Sequence, residues 1–367
     1  MSGRFPTHEA EERLRAVRDS GVETVPLHGT PAPPLPGHVV EAVARTLGAS
    51  SPAPHPRGLP TLREALAALV ARDGRAVDAV SELVVTNGAM HALALCFRSL
   101  LQPGDEVVAP SPCYFFGGPI RAAGGVPRYV PSTPDTGWAW EPEAIERAIG
   151  RRTRALLVCN PGNPTGAVPT PGEVEAVVGV AVDHGLVVVS DEAYEASVWG
   201  DARLASAFPL AERALLIRSL GKSLSLPHLR LGLVAGPSDL LDRVAVALEW
   251  DVLRVGLAPQ AAALAVLDGP RDWLDETRAT LAADRDAALA AVAAVGGLDV
   301  VPPRGAPFLF VSSGSDRVAD KLIDAGIPAV DGRHFQAPGW ARVPFGGAAA
   351  ARVALDEALA GWARAHR

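Results

Sequence analysis

The sequence predicts an α/β protein: a large domain built on a mostly parallel sheet with helices on both faces, followed by a smaller α+β domain. Three observations carry this. Short apolar runs alternate with helical patterns between about residues 80 and 235, as strands buried on both faces do. Polar residues and glycines cluster where those runs stop. Past residue 270 the alternation gives way to one long Ala- and Arg-rich helix and scattered short strands. A chain of 367 residues is longer than one ordinary core requires, and 48% hydrophobic with 20% charged residues is a globular composition. The expected divisions are residues 1–47 as an N-terminal arm and part of the small domain, 48–265 as the large domain and 266–367 as the small C-terminal domain.

Taken in order, residues 9–19 read as a helix, and "ETVPLHGTPAPPLPGH" as an extended arm, because its prolines lack the N–H donors of a regular helix. Helical patterns recur at 37–47 and 60–73. "ELVVTNG" is a strand that stops at glycine, "AMHALALCFRSLL" a helix, "DEVVAPSP" a strand and "FFGGPIRAAGG" a helix. "VPRYVP", "EAIERAIG" and "TRALLVCNPGNPTG" follow. "GEVEAVVGVAVDHGLVVVSDEAY" reads as helix plus strand, and "ALLIRSLGKS" and "LRLGLVAGP" as two further strands. The smaller domain holds the helix at 270–295, "LDVVPPRGAPFLFVSSG", "SDRVADKLIDAGIPAVDG", "GWARVPFGG" and a last helix at 348–364.

Composition narrows the function. A net charge of -7 argues against nucleic acid and against an anionic membrane surface. No apolar run spans a bilayer and the start lacks a signal-peptide stretch, so a cytoplasmic protein is expected. Cys96, Cys113 and Cys159 are scattered, and the nine histidines form no HExxH pattern, so neither a disulfide framework nor a metal site is expected.

Only two of the 34 basic residues are lysines. Lys321 sits in the amphipathic stretch "SDRVADKLIDAG", opposite apolar Val318, Leu322 and Ile323, and reads as a surface residue. Lys222, in "RSLGKSLSLPHLRLG", follows a strand in what reads as a loop. Unlike a guanidinium, an amine can lose its proton near neutrality and form a Schiff base. Other strand ends add to it. "LVVTNGAM" enters a helix through glycine and leaves the first amides, near Ala89 and Met90, free for a phosphate. "LLVCNPGNPTG" presents Asn160 and Asn163, "LVVVSDEAY" presents Asp191 and Tyr194, and "LIRSLGK" presents Ser219 and Lys222, with Arg230 downstream. Ligands bind beyond the carboxyl ends of parallel strands, and this collection suits a phosphorylated carbonyl cofactor.

"NPGNPTG", "SDEAY" and "SLGKSLSLPHLRLG" together resemble the motifs of the class I/II aminotransferases, pyridoxal phosphate enzymes of fold type I with a mostly parallel seven-stranded sheet. The spacing is part of the resemblance: Asn163 to Asp191 is 28 residues, Asp191 to Lys222 is 31, and Lys222 to Arg230 is 8. It implies that Lys222 forms the Schiff base with the cofactor aldehyde and moves the Cα proton. Asp191 pairs with the pyridine nitrogen, and Asn163 and Tyr194 hydrogen-bond the ring's phenolic oxygen. Ser219, Arg230 and the amides of Ala89 and Met90 hold the phosphate, and Tyr114 stacks on the ring, with Phe115 as the competing aromatic. Arg342, in "GWARVPFGG", pairs with the substrate α-carboxylate beside Asn163, and Gly29 in the arm leaves room for it. The resemblance further implies an L-amino acid substrate, a 2-oxo acid product and a homodimer with shared active sites.

Departures from the pattern leave other chemistry open. The family's tyrosine ahead of "GLPTLREALAALV" is absent, with Ala53 at the expected offset and His55 and Arg57 nearby; His228 and Gly221 stand where glycine and serine are common. Elimination, replacement or ring closure on the same cofactor is the alternative to transamination. His28, His55, Arg57, Trp250, Arg254, Arg304 and Arg333 are open candidates for contacts to the substrate side chain.

Overall fold

The structure is a computed structural model that describes residues 5–27, 29–30, 32–49, 53–347 and 349–366. Its main sheet has seven strands: β1 Leu83–Thr86, β2 Glu106–Ser111, β3 Val126–Pro131, β4 Thr153–Cys159, β5 Val187–Asp191, β6 Ala214–Ser219 and β7 Gly232–Ala235. They lie in the order β1-β7-β6-β5-β4-β2-β3, with β7 antiparallel to both neighbours and the remaining pairs parallel. Strands β1, β2, β5, β6 and β7 are buried along their whole length, which is why their sequences read as unbroken apolar runs.

Register then aligns the polar strand ends. Cys159 at the end of β4 lies opposite Asp191 at the end of β5, Asp191 lies opposite Ile217 of β6, and Ser219 ends β6 opposite Gly232. Thr86, the last residue of β1, pairs with the same Gly232 and brings the Gly88 turn to that edge. Four chain segments distant in sequence thus deliver their polar residues to one rim.

The helix Ala89–Leu100 buries Leu93, Leu95, Cys96 and Phe97 between this sheet and the helix Ser238–Val252. Full burial of side chains of this size contributes roughly 1.5–3 kcal/mol each. The helix Gly37–Gly48 lies on the helix Leu257–Asp268, and its Val39 belongs to the main core. That core therefore recruits chain from before residue 47 and reaches Leu274, beyond 265.

The second core is built on an antiparallel sheet of β8 Asp299–Val300, β9 Phe308–Ser312, β10 Val330–Asp331 and β11 Trp340–Pro344, in the order β10-β11-β9-β8. The helix Asp272–Val295 contacts β9 and the last helix, Ala349–His366. Val318, Leu322 and Ile323 are buried against this core as their spacing predicts. The arm joins it through Val25 and Leu27, and Leu27 is bridged to Gly347. Among the described residues no helix is long and apolar enough to cross a membrane.

One local expectation differs. Lys222 lies not in an open loop but in a single helical turn, Leu220–Ser223, directly after β6. Four residues are too few to display a helical period, so the pattern carried no signal for it.

Candidate active site

Lys222 rises from that turn into the cleft between the two cores. Its Nζ donates a hydrogen bond to Thr30 Oγ1 of the arm and stands 5.4 Å from the centre of the Tyr194 ring. Partial burial, then the charges of Arg342 and Arg230, push the ammonium down to about 8. A useful fraction of neutral amine is therefore present near neutral pH.

Asp191 closes β5 and is 5% exposed. Its Oδ1 accepts from the Ala193 N–H at 3.0 Å, and it forms no ion pair among the described residues. Burial drives its carboxyl up to about 7, so the site holds an acid that lacks a cationic partner. Glu192, next in the chain, points into a separate network: its Oε2 meets Arg218 Nη2 at 2.9 Å and its Oε1 accepts from the Ser190 and Ser206 hydroxyls. Arg218 also pairs with Asp73 at 2.6 Å. The strand's two-residue alternation separates the two carboxylates.

Arg342, on β11, has the opposite deficiency. Its guanidinium is buried over the Phe308 and Phe335 rings, 4.3 and 5.1 Å from their centres. Nη1 donates to Asn163 Oδ1 at 3.0 Å, while Nε has no partner and no carboxylate pairs with it among the described residues. Burying an unpaired cation is costly, and a two-oxygen anion is the ligand that satisfies the fork. Tyr194 packs edge-on against Phe308 at 5.6 Å and lines the same cleft, its phenol pushed up by burial. Gly29 approaches from the arm in a left-handed conformation (φ 62), where an added Cβ would lie 3.1 Å from Phe308 and 3.2 Å from Pro344. Only glycine seats there without displacement.

The phosphate-sized corner forms at the β1–β7–β6 rim. The helix Ala89–Leu100 starts after Gly88 (φ 84), so the amides of Ala89 and Met90 open its first turn. A Cβ on Gly88 would come within 3.1 Å of Arg230 Nη2, which places that guanidinium against the turn. Gly232 lets the Gly88–Ala89 peptide approach: a Cβ there would lie 2.8 and 2.9 Å from its carbon and nitrogen. Ser219, opposite Gly232, completes the corner.

Tyr114 is partly buried, 4.4 Å from Phe115 and 5.8 Å from Phe116, and feels the charges of Arg342, Asp191 and Arg230. Phe115 is instead stacked on Phe335 at 4.9 Å in an apolar cluster with Trp138 and Phe310. The structure thus brings Lys222, Asp191, Tyr194, Asn163, Tyr114, Ser219, Arg230, Arg342, Gly29 and the first amides of one helix to a single cleft. An unpaired buried acid, a buried cation with an open donor and an amide-lined corner together fit a cationic ring nitrogen, a carboxylate and a phosphate.

Other candidates point elsewhere. Arg57 binds the Ser81 carbonyl and Asp242, Arg254 the Pro54 carbonyl, Arg304 Asp201 and Arg333 Asp331. Ala53 and His55 are exposed, and His28 lies outside the described residues. A Cβ on Gly221 would make only ordinary contacts, from 3.4 Å, so that departure is sterically neutral. Thr30 and the aromatic walls Phe308 and Phe335 were missed from the sequence. Nothing local marks a threonine whose partner is 192 positions away.

The family described as aminotransferase class I and II matches residues 29–360. The aspartate/prephenate aminotransferase of Thermus thermophilus is 34% identical over 361 residues, 95% of this chain and 92% of the relative. A probable aspartate/prephenate aminotransferase of Aquifex aeolicus is 31% identical over 359 residues, covering 93% and 91%. Among solved structures, the Thermus thermophilus aspartate aminotransferase with maleate superposes with a TM-score of 0.91 at 33% identity, over 98% and 96% of the two chains. The Rhizobium meliloti aspartate aminotransferase gives 0.92 at 25% identity, over 99% and 97%. These relatives are transaminases and do not favour the elimination or cyclisation alternative. With fold, motifs and relatives in agreement along nearly its whole length, the chain belongs to the class I and II aminotransferases and is a pyridoxal phosphate-dependent enzyme that converts an L-amino acid to a 2-oxo acid.

Proposed function

We propose that the cleft performs this transamination with Lys222 as the reacting amine and Arg342 as the carboxylate receptor. The observation that carries the reading is the buried Arg342 guanidinium, open at Nε, in the same cleft as Lys222, whose ammonium burial and two cations push down to about 8. Asp191 would pair with the cofactor's ring nitrogen, Asn163 and Tyr194 with its phenolic oxygen, Tyr114 with its face, and Ser219, Arg230 and the amides of Ala89 and Met90 with its phosphate. When bound, the cofactor supplies an electron sink for charge developing at the substrate Cα. The remaining work falls to the protein. Arg342 and Asn163 orient the amino acid by its α-carboxylate, which fixes the direction of the Cα–H bond. Lys222 Nζ, neutral in part because burial and two cations lower its proton affinity, takes the Cα proton. Phe308 and Phe335 exclude water around the Arg342 fork and strengthen its pairing.

We also read the protein as a homodimer. The helix Ser238–Val252 exposes Val246 and, near its end, Trp250, with Leu253 following; Trp250 is 88% exposed. Such a patch is covered by a second copy in enzymes whose sites are shared.

The test mixes cofactor-loaded enzyme with single amino acids and no acceptor. Aspartate heads the panel, with prephenate as acceptor in the reverse direction, because both words occur in the names of the relatives. One equivalent of oxo acid per site, after which the reaction stops until an acceptor is added, is the expected result. Repeated release of product without an acceptor contradicts the reading.

A further inference from the structure

We propose that Thr30 is a positioning residue for the Lys222 amine, its hydroxyl holding Nζ whenever that amine is not joined to the cofactor. The inference rests on the assignment of Lys222 as the reacting amine and adds a partner for its free state. The Thr30 contact is the one hydrogen bond that Lys222 Nζ makes among the described residues. Its other neighbours do not fix its direction: Arg342 and Arg230 repel the ammonium, and the Tyr194 face, 5.4 Å from Nζ, attracts the charge but accepts no hydrogen bond from it. A flexible four-carbon stem needs a fixed acceptor if the amine is to present its lone pair repeatedly at one place.

The arm makes Thr30 such a fixed acceptor. Leu27 is bridged to Gly347, and Gly29 is wedged between Phe308 and Pro344, so the residue that follows has little freedom. Lys222 comes from the end of β6 in the main core, whereas Thr30 belongs to an arm seated on the second core. The hydrogen bond therefore ties the position of the amine to the seating of the arm. Gly29, Thr30, Tyr194 and Lys222 line one small cavity, so the amine and its hydroxyl partner share the same local space.

The two-lysine composition makes a direct test available. Full-length, cofactor-free wild type, Thr30→Val, Thr30→Ala and Thr30→Ser are treated with trace acetic anhydride over about pH 6 to 10, and acetylation of each lysine is read by peptide mass analysis. Lys321 is the internal reference. Loss of an acceptor that favours the ammonium makes Lys222 in the Val and Ala variants react roughly threefold faster near pH 7, a shift of about half a pH unit, while Thr30→Ser matches wild type and Lys321 does not move. In the loaded enzyme the same two variants lower kcat and leave KM for the amino acid unchanged, since Thr30 touches the amine and not the substrate. Coincident Lys222 curves for wild type and both hydroxyl-free variants overturn the proposal, as does a serine variant that behaves like alanine. Failure of the Lys222 assignment itself shows elsewhere, as cofactor attached to a different residue, so the two failures are distinguishable.

Discussion

Replacing Asp191 by asparagine removes an unpaired buried acid and keeps an oxygen for the Ala193 N–H, so its effect on the cofactor-free protein is an electrostatic one. The carboxyl rises from an ordinary 3.8 in the unfolded chain to about 7 in the fold, with burial as the leading cause. At about 1.4 kcal/mol per pH unit, ionised Asp191 costs the cofactor-free fold about 4 kcal/mol, an upper figure because water and side-chain relaxation soften it. The sign is fixed by proton counting. Between 3.8 and about 7 the folded state holds a proton that the unfolded state has released, so stability falls as pH rises through that window and stays low above it. Asp191→Asn lacks this term. Urea unfolding of both cofactor-free proteins near pH 5 and pH 8 should show wild type losing about 2–3 kcal/mol relative to the variant over that interval, with the loss abolished when cofactor is bound to wild type. A wild-type-minus-variant difference that does not change with pH would refute the claim that Asp191 waits unpaired for a cationic ring.

Three other perturbations bear on separate parts of the site. Arg342→Lys replaces a planar fork with a point charge and should lower kcat/KM for the amino acid by about 100-fold, on the order of 3 kcal/mol, with cofactor affinity retained in an absorbance titration. Gly232→Ala drives a methyl into the Gly88–Ala89 peptide and should weaken cofactor binding at least about tenfold, measured by the same titration, while the secondary structure by circular dichroism is kept. Trp250→Glu places a charge in the exposed apolar stretch of the helix Ser238–Val252 and should shift the sedimentation coefficient from dimer toward monomer.

Much of the fold was legible because its signals are local. Runs such as "LVVVSD" and "ALLIRS" are strands buried on both faces, and their polar last residues, Asp191 and Ser219, arrive at one rim through register alone. The glycine turn before Ala89 likewise declared a helix start. What escaped depends on long-range packing. The helix Gly37–Gly48 carries no local mark that it seats on the helix Leu257–Asp268, because an amphipathic face does not name its partner. Phe308 and Phe335 read as ordinary core aromatics, yet both rings lie against the Arg342 guanidinium. Thr30 sits in a proline-rich arm where its hydroxyl has no pattern to belong to, and only the folded arm shows it against Lys222. Arg342 itself was reached through resemblance; among 32 arginines, composition could not have selected it.

Everything proposed for the cleft depends on Lys222 being the residue that carries the cofactor. Reducing the loaded enzyme with borohydride fixes the covalent attachment, and proteolysis followed by mass analysis locates it. The added cofactor mass should appear on the peptide containing Lys222 and not on the peptide containing Lys321. Attachment at Lys321, or failure to trap any cofactor on a lysine, would contradict it.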